Sequence, residues 1–319
     1  MPGASHQEET DRLASLARIV RDTGYSFVTP TPATHARVNA RPGNVWAHDL
    51  RDVFGWSRPF QEGVVPSSIV GAMRDAGVLA AAGAGWRSTV RISSLDELLF
   101  LHSAYPTTGE DAVFFGPDTY RFAQAIAALP PVPVRRAVDI GCGAGPGAVL
   151  IARSHPDAEV LGVDINEAAL RLTRANAVLA GVSVSAVQSD LLKNVKLVFD
   201  LIVANPPYMV DSAKRAYRDG GGPLGAGLSL AIVEVALEHL APGGTLLLYT
   251  GSAIVGGVDA FHDAAIARLL GGGLDWSYRE MDPDVFGEEL ADGAYAEADR
   301  IAAVTLIIRK SGVVHDAGR

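Results

Sequence analysis

The sequence of residues 138–145 is Val-Asp-Ile-Gly-Cys-Gly-Ala-Gly, an apolar strand pattern that ends in three alternating glycines. Residues 146–153 continue with a helical pattern, so the glycines occupy a strand-to-helix turn. Glycine lets the backbone approach a ligand closely, and the start of a helix offers free N–H groups. A dinucleotide-binding loop, G-x-G-x-x-G, would need glycine at position 146, where this chain has proline. The stretch therefore predicts a ligand-binding turn with a D-x-G-x-G-x-G spacing.

The sequence around this turn alternates short apolar strands with helical patterns, which is typical of a parallel sheet covered on both faces. We predict an α/β fold with a seven-stranded Rossmann-like sheet that ends in an antiparallel pair. The predicted strands are 137–140, 159–163, 182–187, 201–204, 245–249, 274–280 and 301–309. The predicted helices of this part are 146–153, 167–180, 228–240 and 259–270.

The first part of the chain is less regular, and we predict a smaller α or α+β domain over residues 1–110. It contains an amphipathic helix at 8–22, a short helix at 67–76 and a strand at 88–92. We expect this domain to act as a cap or substrate-recognition unit on a main domain formed by 111–319. A winged-helix unit that contacts DNA is the alternative, which the charge balance disfavours.

The composition limits the partners that the chain can bind. The formal net charge is −9 over 319 residues, so electrostatic capture of nucleic acid is not expected from the bulk composition. The chain has one cysteine, no signal-peptide pattern and no uninterrupted apolar span, from which we predict a cytoplasmic protein without membrane contact. The eight histidines are scattered without metal-ligand spacing, and we predict no metal site.

Two carboxylates follow consecutive predicted strands. Asp164 ends the second strand, 23 residues after Gly141, and Asp190 follows the third. A carboxylate at the first position can accept hydrogen bonds from both hydroxyls of a ribose, and one at the second from an adenine amino group. Either acid alone is more often a strand-end cap. Together, behind a glycine loop, they predict a pocket shaped for adenosine.

The tetrapeptide Asn205-Pro206-Pro207-Tyr208 directly follows the fourth predicted strand. The first and fourth strands of such sheets are normally neighbours, so this segment should face the glycine loop. Asn205 offers an amide oxygen and Pro206 a backbone carbonyl, two acceptors for the N–H groups of an NH2. The prolines restrict the loop, and Tyr208 offers a flat ring against which a planar acceptor can stack. A simple turn after the strand is the alternative interpretation.

Together these residues resemble the class I S-adenosylmethionine-dependent methyltransferases that carry an N-P-P-Y motif, and within them the HemK/PrmC type. That type methylates a glutamine side-chain amide of peptide release factors. Residues 113–119 (VFFGPDT) are similar to a degenerate form of the lead-in V-x-I-P-R-P-x-T, which closes over the cofactor. Gly116-Pro117-Asp118 stands in place of the proline-arginine-proline run, so the arginine is lost. The resemblance covers roughly residues 110–310.

The resemblance implies a role for each matched position. Asp139 and Gly141 would contact the methionine end of S-adenosylmethionine, while Gly143 and Gly145 would give it room. Asp164 would bind the ribose and Asp190 the adenine, and Thr119 belongs to the lead-in over the cofactor. Asn205 would contact both the cofactor and the acceptor, and together with Pro206 it would orient the acceptor nitrogen. Pro207 and Tyr208 would complete the catalytic turn.

Three functions follow from this interpretation. The first is methylation of a protein glutamine amide, and the second is methylation of a small metabolite or of a nucleic-acid base amine. The third is a cofactor-binding interaction module without turnover, against which the intact tetrapeptide argues. Two charged segments bear on the acceptor: the cations Lys214, Arg215 and Arg218, and the acidic stretch 282–299. The cations either belong to a solvated loop or line the acceptor entrance. The acidic stretch is either a solvated loop or a segment that repels phosphate and favours a cationic or peptide acceptor.

Overall fold

The structure is a computed structural model that describes residues 4–211, 214–215, 217–270, 273–291 and 293–312. Its helices are α1 (Ala4–Arg21), α2 (Pro32–Asn39), α3 (Leu50–Phe54), α4 (Ser67–Asp75), α5 (Pro117–Ala127), α6 (Pro146–Ser154), α7 (Glu167–Ala180), α8 (Gly227–His239) and α9 (Ala260–Leu269). Its strands are β1 (Leu79–Ala82), β2 (Gly85–Ser88), β3 (Val90–Leu95), β4 (Leu98–Ser103), β5 (Arg136–Ile140), β6 (Glu159–Asp164), β7 (Ser185–Gln188), β8 (Phe199–Ala204), β9 (Leu240–Val255), β10 (Val258–Asp259), β11 (Leu274–Asp282) and β12 (Arg300–Lys310).

The large sheet has the strand order β11-β12-β9-β8-β5-β6-β7, with the short β10 paired to β9. Strands β5 to β9 pair in parallel, whereas β12 is antiparallel to both β9 and β11. The predicted seven-stranded Rossmann-like α/β sheet with a closing antiparallel pair is confirmed. Strands β5, β6, β8 and β9 are mostly buried, which is why their sequences are largely apolar, whereas the edge strand β7 is only partly buried.

Two predicted strands differ from the structure by three or more residues at an end, and the other five by one or two residues. The third strand begins at Ser185 rather than at residue 182, because Gly181 ends α7 in the left-handed region and the chain needs several residues to turn. The fifth strand extends over 240–255 rather than 245–249. Beyond residue 249 the strand is prolonged by its pairing with β12 as far as Ile254, and before residue 245 by the pairing of Leu240 with Phe199 of β8.

The first 103 residues contribute α1 to α4 and two antiparallel hairpins, β1–β2 and β3–β4. The single strand predicted at 88–92 is wrong, since β2 ends at Ser88 and β3 begins at Val90. This region shares one apolar core with helix α7 beside the main sheet. The core includes Leu13 and Leu16 of α1 and Leu172 of α7. The assignment of 1–110 as a separate domain stays a prediction.

Within the described residues, none of the helices combines the length and the apolar composition that a membrane span requires.

The register of the central strands places the chain segments after them side by side. Ile140 at the end of β5 pairs with Ala204 of β8 on one side and with Val163 of β6 on the other. Asp164 at the end of β6 pairs in turn with Gln188 of β7. The glycine turn and the residues that follow β6, β7 and β8 therefore meet at one edge of the sheet.

Candidate functional site

A cavity of about 370 Å³ lies at this edge of the sheet. Nine of the eleven site residues that the sequence predicts line it: Thr119, Gly141, Gly143, Asp164, Asp190, Asn205, Pro206, Pro207 and Tyr208. Asp139 and Gly145 do not. The lining also includes aromatic and cationic side chains that the sequence did not assign to a cofactor: Tyr105, Phe114, Arg215, Tyr217, Arg218 and Phe286.

The glycine turn leaves open space beside the cavity at two of its three glycines. Gly141 and Gly143 have φ values of +70° and +55°, in the left-handed region that favours glycine. A Cβ at Gly141 would meet nothing within 4 Å, and one at Gly143 only Val113 at 3.8 Å. The third glycine serves packing instead, because a Cβ at Gly145 would lie 2.9 Å from the side chain of Thr173 in α7.

Asp139 lies behind the glycine turn and is 1% exposed. Its Oδ2 accepts a hydrogen bond of 3.0 Å from the backbone N–H of Ala148, in the first turn of α6. Burial raises the pKa of Asp139 to about 7. In this structure the side chain anchors the helix that follows the turn, and the methionine-end contact predicted for it stays a prediction.

Asp164 and Asp190 both reach the cavity, in different surroundings. The Asp164 carboxylate accepts backbone hydrogen bonds from Gly143 at 3.0 Å and from Asn166 at 2.9 Å. Each of its oxygens keeps a further lone pair for a ligand hydroxyl. Burial raises the pKa of Asp164 despite these donors. Asp190 is more exposed and forms an ion pair with Lys193.

The tetrapeptide after β8 presents unpartnered acceptors at the cavity. Among the described residues, neither the Asn205 side-chain amide nor the Pro206 carbonyl takes part in a hydrogen bond. The chain beyond them is held firmly, since Met209 donates its N–H to the Arg218 carbonyl at 3.1 Å and accepts from Gly220 N–H at 2.8 Å. The acceptors are therefore displayed from a rigid support.

Tyr208 is mostly buried, with 6% of its surface exposed. Its hydroxyl donates to Asp118 Oδ2 at 2.8 Å, and its ring meets the Phe286 ring edge-on at 6.0 Å between centroids. A Cβ at Gly251 would lie 2.2 Å from the Tyr208 ring, so this glycine makes room for it. The stacking role predicted for Tyr208 stays a prediction, and only a small part of the ring faces the cavity.

Arg215 and Tyr217, which follow the tetrapeptide, line the cavity together with side chains of residues 105–114. Tyr217 donates its hydroxyl to the Thr107 carbonyl, and its ring stacks on Phe114 at 6.3 Å with an interplanar angle of 15°. Arg215 donates to Asp211 through Nε at 2.8 Å and Nη2 at 2.6 Å. These bonds lower the pKa of Asp211 to about 2. Arg215 thus reaches the cavity as one half of an ion pair.

The acidic stretch 282–299 is more than a solvated loop. The Tyr295 hydroxyl accepts the Val210 N–H at 2.9 Å, next to the tetrapeptide, and Arg218 forms an ion pair with Glu289. With Phe286 in the lining, this stretch forms part of the wall of the cavity on the side of the tetrapeptide. Four of its six described carboxylates remain exposed.

Sequence reasoning missed the aromatic lining and the role of Asp118. The aromatic residues come from segments without a shared motif, so only the folded chain brings them together. Asp118 did carry a signal, because it directly precedes Thr119 in the lead-in, but the motif alone does not say what the carboxylate binds. In the structure it is 8% exposed and accepts two tyrosine hydroxyls.

Comparison with known proteins agrees with the fold and with the likeness that the motifs indicated. Residues 123–254 match the family model described as "Methyltransferase small domain". A release factor glutamine methyltransferase of Koribacter versatilis is 32% identical over 185 residues, which are 54% of this chain and 62% of that relative. A 4-amino-L-phenylalanine/4-methylamino-L-phenylalanine methyltransferase of Streptomyces pristinaespiralis is 32% identical over 159 residues, 46% of this chain and 51% of that protein.

The chain thus spans about half to three fifths of the length of these relatives. Among solved structures, the crystal structure of Trm5b from Pyrococcus abyssi superposes with a TM-score of 0.50 at 16% identity. The superposition covers 77% of this chain and 71% of that one, and it supports the fold alone.

Proposed function

We propose that this protein transfers the methyl group of S-adenosylmethionine to a planar nitrogen, that of a protein glutamine amide; the match of residues 123–254 to the methyltransferase small-domain model supports the reaction class. The observation that carries the proposal is the pair of unpartnered acceptors on Asn205 and Pro206, displayed beside an open glycine turn. The relative that is named release factor glutamine methyltransferase supports the choice of acceptor.

The residues at the edge of the sheet fit S-adenosylmethionine. Asp164 keeps acceptor capacity for two hydroxyls, and Asp190 lies one strand further along for an amino group. The open space beside Gly141 and Gly143 suits the amino-acid end of the molecule, since any larger residue there would place a Cβ in the cavity. We propose that these four residues, with Thr119 above them, form the cofactor site.

When bound, S-adenosylmethionine supplies an electrophilic methyl group on sulfur, so that transfer forms an N–C bond, breaks the S–C bond, leaves that electron pair on sulfur and releases one N–H proton to water. The chain's own contribution is geometric. The lone pair of an amide nitrogen is delocalised, and two acceptors aimed at its N–H groups favour the pyramidal geometry that makes the nitrogen nucleophilic. The rigid Asn205–Tyr208 turn would hold that arrangement without further reorganisation.

A second candidate acceptor is a small aromatic amine. Phe114, Tyr217 and Phe286 line the cavity near the tetrapeptide, and aromatic rings bind planar aromatic ligands well. The Streptomyces pristinaespiralis relative, named for 4-amino-L-phenylalanine, is similar to this chain at the same level of identity.

The test incubates the purified full-length protein with labelled S-adenosylmethionine and, separately, with an unmethylated bacterial release factor or 4-amino-L-phenylalanine. We expect one added methyl group on a glutamine of the release factor, located by peptide mass spectrometry, and none with Asn205→Ala. Label on 4-amino-L-phenylalanine alone would establish the second candidate. Binding of S-adenosylmethionine without transfer to either would favour an interaction module over both.

A further inference from the structure

Asp118 lies at the junction of four elements around the cavity. It is in the first turn of α5, and its two carboxylate oxygens accept different hydroxyls: Oδ2 accepts from Tyr208 and Oδ1 from Tyr249, each at 2.8 Å. Arg121, one turn along α5, donates to Oδ1 at 3.3 Å and to Asp282 at the end of β11 at 2.7 Å. The guanidinium offsets the buried negative charge.

The two tyrosines differ in what they touch. Tyr208 is the last residue of the tetrapeptide and lines the cavity. Tyr249 lies within β9, is fully buried and has no place in the cavity lining. The Asp118 carboxylate therefore accepts two tyrosine hydroxyls at the same distance. One of these tyrosines belongs to the candidate catalytic turn, and the other belongs only to the sheet.

The position of the Tyr208 ring affects the two acceptors because the link between them is stiff. Pro206 and Pro207 fix their φ angles, so the backbone from Asn205 to Tyr208 has little freedom. The ring is packed against Gly251 and against the edge of Phe286. These contacts limit tilting of the ring, and the hydroxyl bond to Asp118 fixes how deeply it is inserted.

We infer that Asp118 is a positioning residue for the methyl acceptor: by anchoring the Tyr208 hydroxyl, it holds the Asn205 and Pro206 oxygens where the acceptor nitrogen must sit. This inference rests on the proposed function for its effect on turnover, but the anchoring itself does not. Asp118 does not need to touch the acceptor or the cofactor.

The experiment compares the wild type with Asp118→Asn, Tyr208→Phe, the double variant and Tyr249→Phe. Tyr249→Phe is the matched control, because it removes a hydroxyl from the same carboxylate, which lines the cavity, while Tyr249 itself lies outside the lining. We measure methyl transfer to the unmethylated release factor and to 4-amino-L-phenylalanine, the dissociation constant of S-adenosylmethionine by calorimetry, and the thermal unfolding midpoint.

Asp118→Asn and Tyr208→Phe should each lower kcat by about tenfold or more, with the dissociation constant of S-adenosylmethionine changed by less than about threefold. The double variant should lose little beyond Tyr208→Phe, since both changes act on the same hydrogen bond of the Tyr208 hydroxyl. Tyr249→Phe should lower the unfolding midpoint but keep kcat within about threefold of the wild type. The inference is overturned if the kcat losses of the two single variants multiply in the double variant. It is also overturned if Tyr249→Phe loses as much kcat as Asp118→Asn and Tyr208→Phe do.

Hydrogen exchange of the free protein gives a second readout that needs neither acceptor nor cofactor. The backbone N–H groups of Met209 and Val210 are hydrogen-bonded in the wild type. Their exchange should accelerate in Asp118→Asn and in Tyr208→Phe but not in Tyr249→Phe. If the three variants exchange alike, Asp118 does not position the turn. If exchange behaves as expected but the wild type transfers no methyl group, the proposed function fails and the anchoring stands.

Discussion

The Asp164 carboxylate accepts a hydrogen bond from the Gly143 backbone N–H at 3.0 Å, which ties the end of β6 to the glycine turn after β5. The two residues are 21 positions apart in the chain and meet because β5 and β6 pair in parallel. The bond fixes the turn and orients the carboxylate toward the cavity.

Asp164→Asn should weaken the binding of S-adenosylmethionine by about tenfold, since an amide has one acceptor oxygen in place of two. The dissociation constant is measured by calorimetry. Asp200→Asn is the matched control, because Asp200 also accepts two backbone N–H groups, from Arg135 and Arg136, but lies at the opposite end of the sheet. An equal loss of affinity in both variants would show that Asp164 acts through stability alone.

Asn205→Ala should abolish most methyl transfer, lowering kcat by about a hundredfold or more, as expected for a group that acts on the reacting nitrogen. The unfolding midpoint should hardly change, because the Asn205 amide makes no hydrogen bond within the described part of the chain. Activity and thermal unfolding are measured on the same preparation. Unchanged turnover with every acceptor that the wild type methylates would contradict the assignment of the tetrapeptide.

Asp139→Asn should change how stability depends on pH. The pKa of Asp139 is raised by burial from 3.8 to about 7, so folding favours the protonated carboxyl. Its contribution to stability is complete below pH 3.8 and is lost as the pH rises to about 7. The free energy of unfolding of the wild type, measured in urea relative to Asp139→Asn, should therefore fall by about 1–3 kcal/mol between pH 5 and pH 7.5. A difference that stays constant over this range would show that the carboxyl does not titrate there.

Asn176→Ala should destabilise the protein by about 2–4 kcal/mol. The Asn176 amide is fully buried in α7, donates to the carbonyls of Leu101 and Ala144, and accepts the Leu101 N–H. Removing it leaves three buried backbone groups without partners. Chemical denaturation measures the loss, with the exposed Asn194→Ala as control, for which a change within about 0.5 kcal/mol is expected. A loss as small as that of the control would mean that water replaces the amide.

The fold was predictable because its signals are local. Each signal indicates a helix, a strand or a turn within a few residues: apolar runs, glycines that end helices, such as Gly181, and the turn after β5. Parallel sheets built from such elements have few possible topologies. The positions of Asp164, Asp190 and Asn205 followed from the same reasoning, since each comes directly after a strand. The full length of β9 was missed because it depends on its partners β8 and β12.

The sequence by itself determined which strands and helices form, the glycine turn and the oxygen atoms that follow the strands, because each of these features depends on residues that are close together in the chain. Only the tertiary structure decided what the other side chains do. In the folded chain Asp139 does not line the cavity, and Gly145 packs against Thr173. Asp118 accepts a hydrogen bond from Tyr208, which is 90 residues further along the chain. The reason is that hydrogen bonds and close packing depend on distance in space, which the order of residues along the chain does not contain.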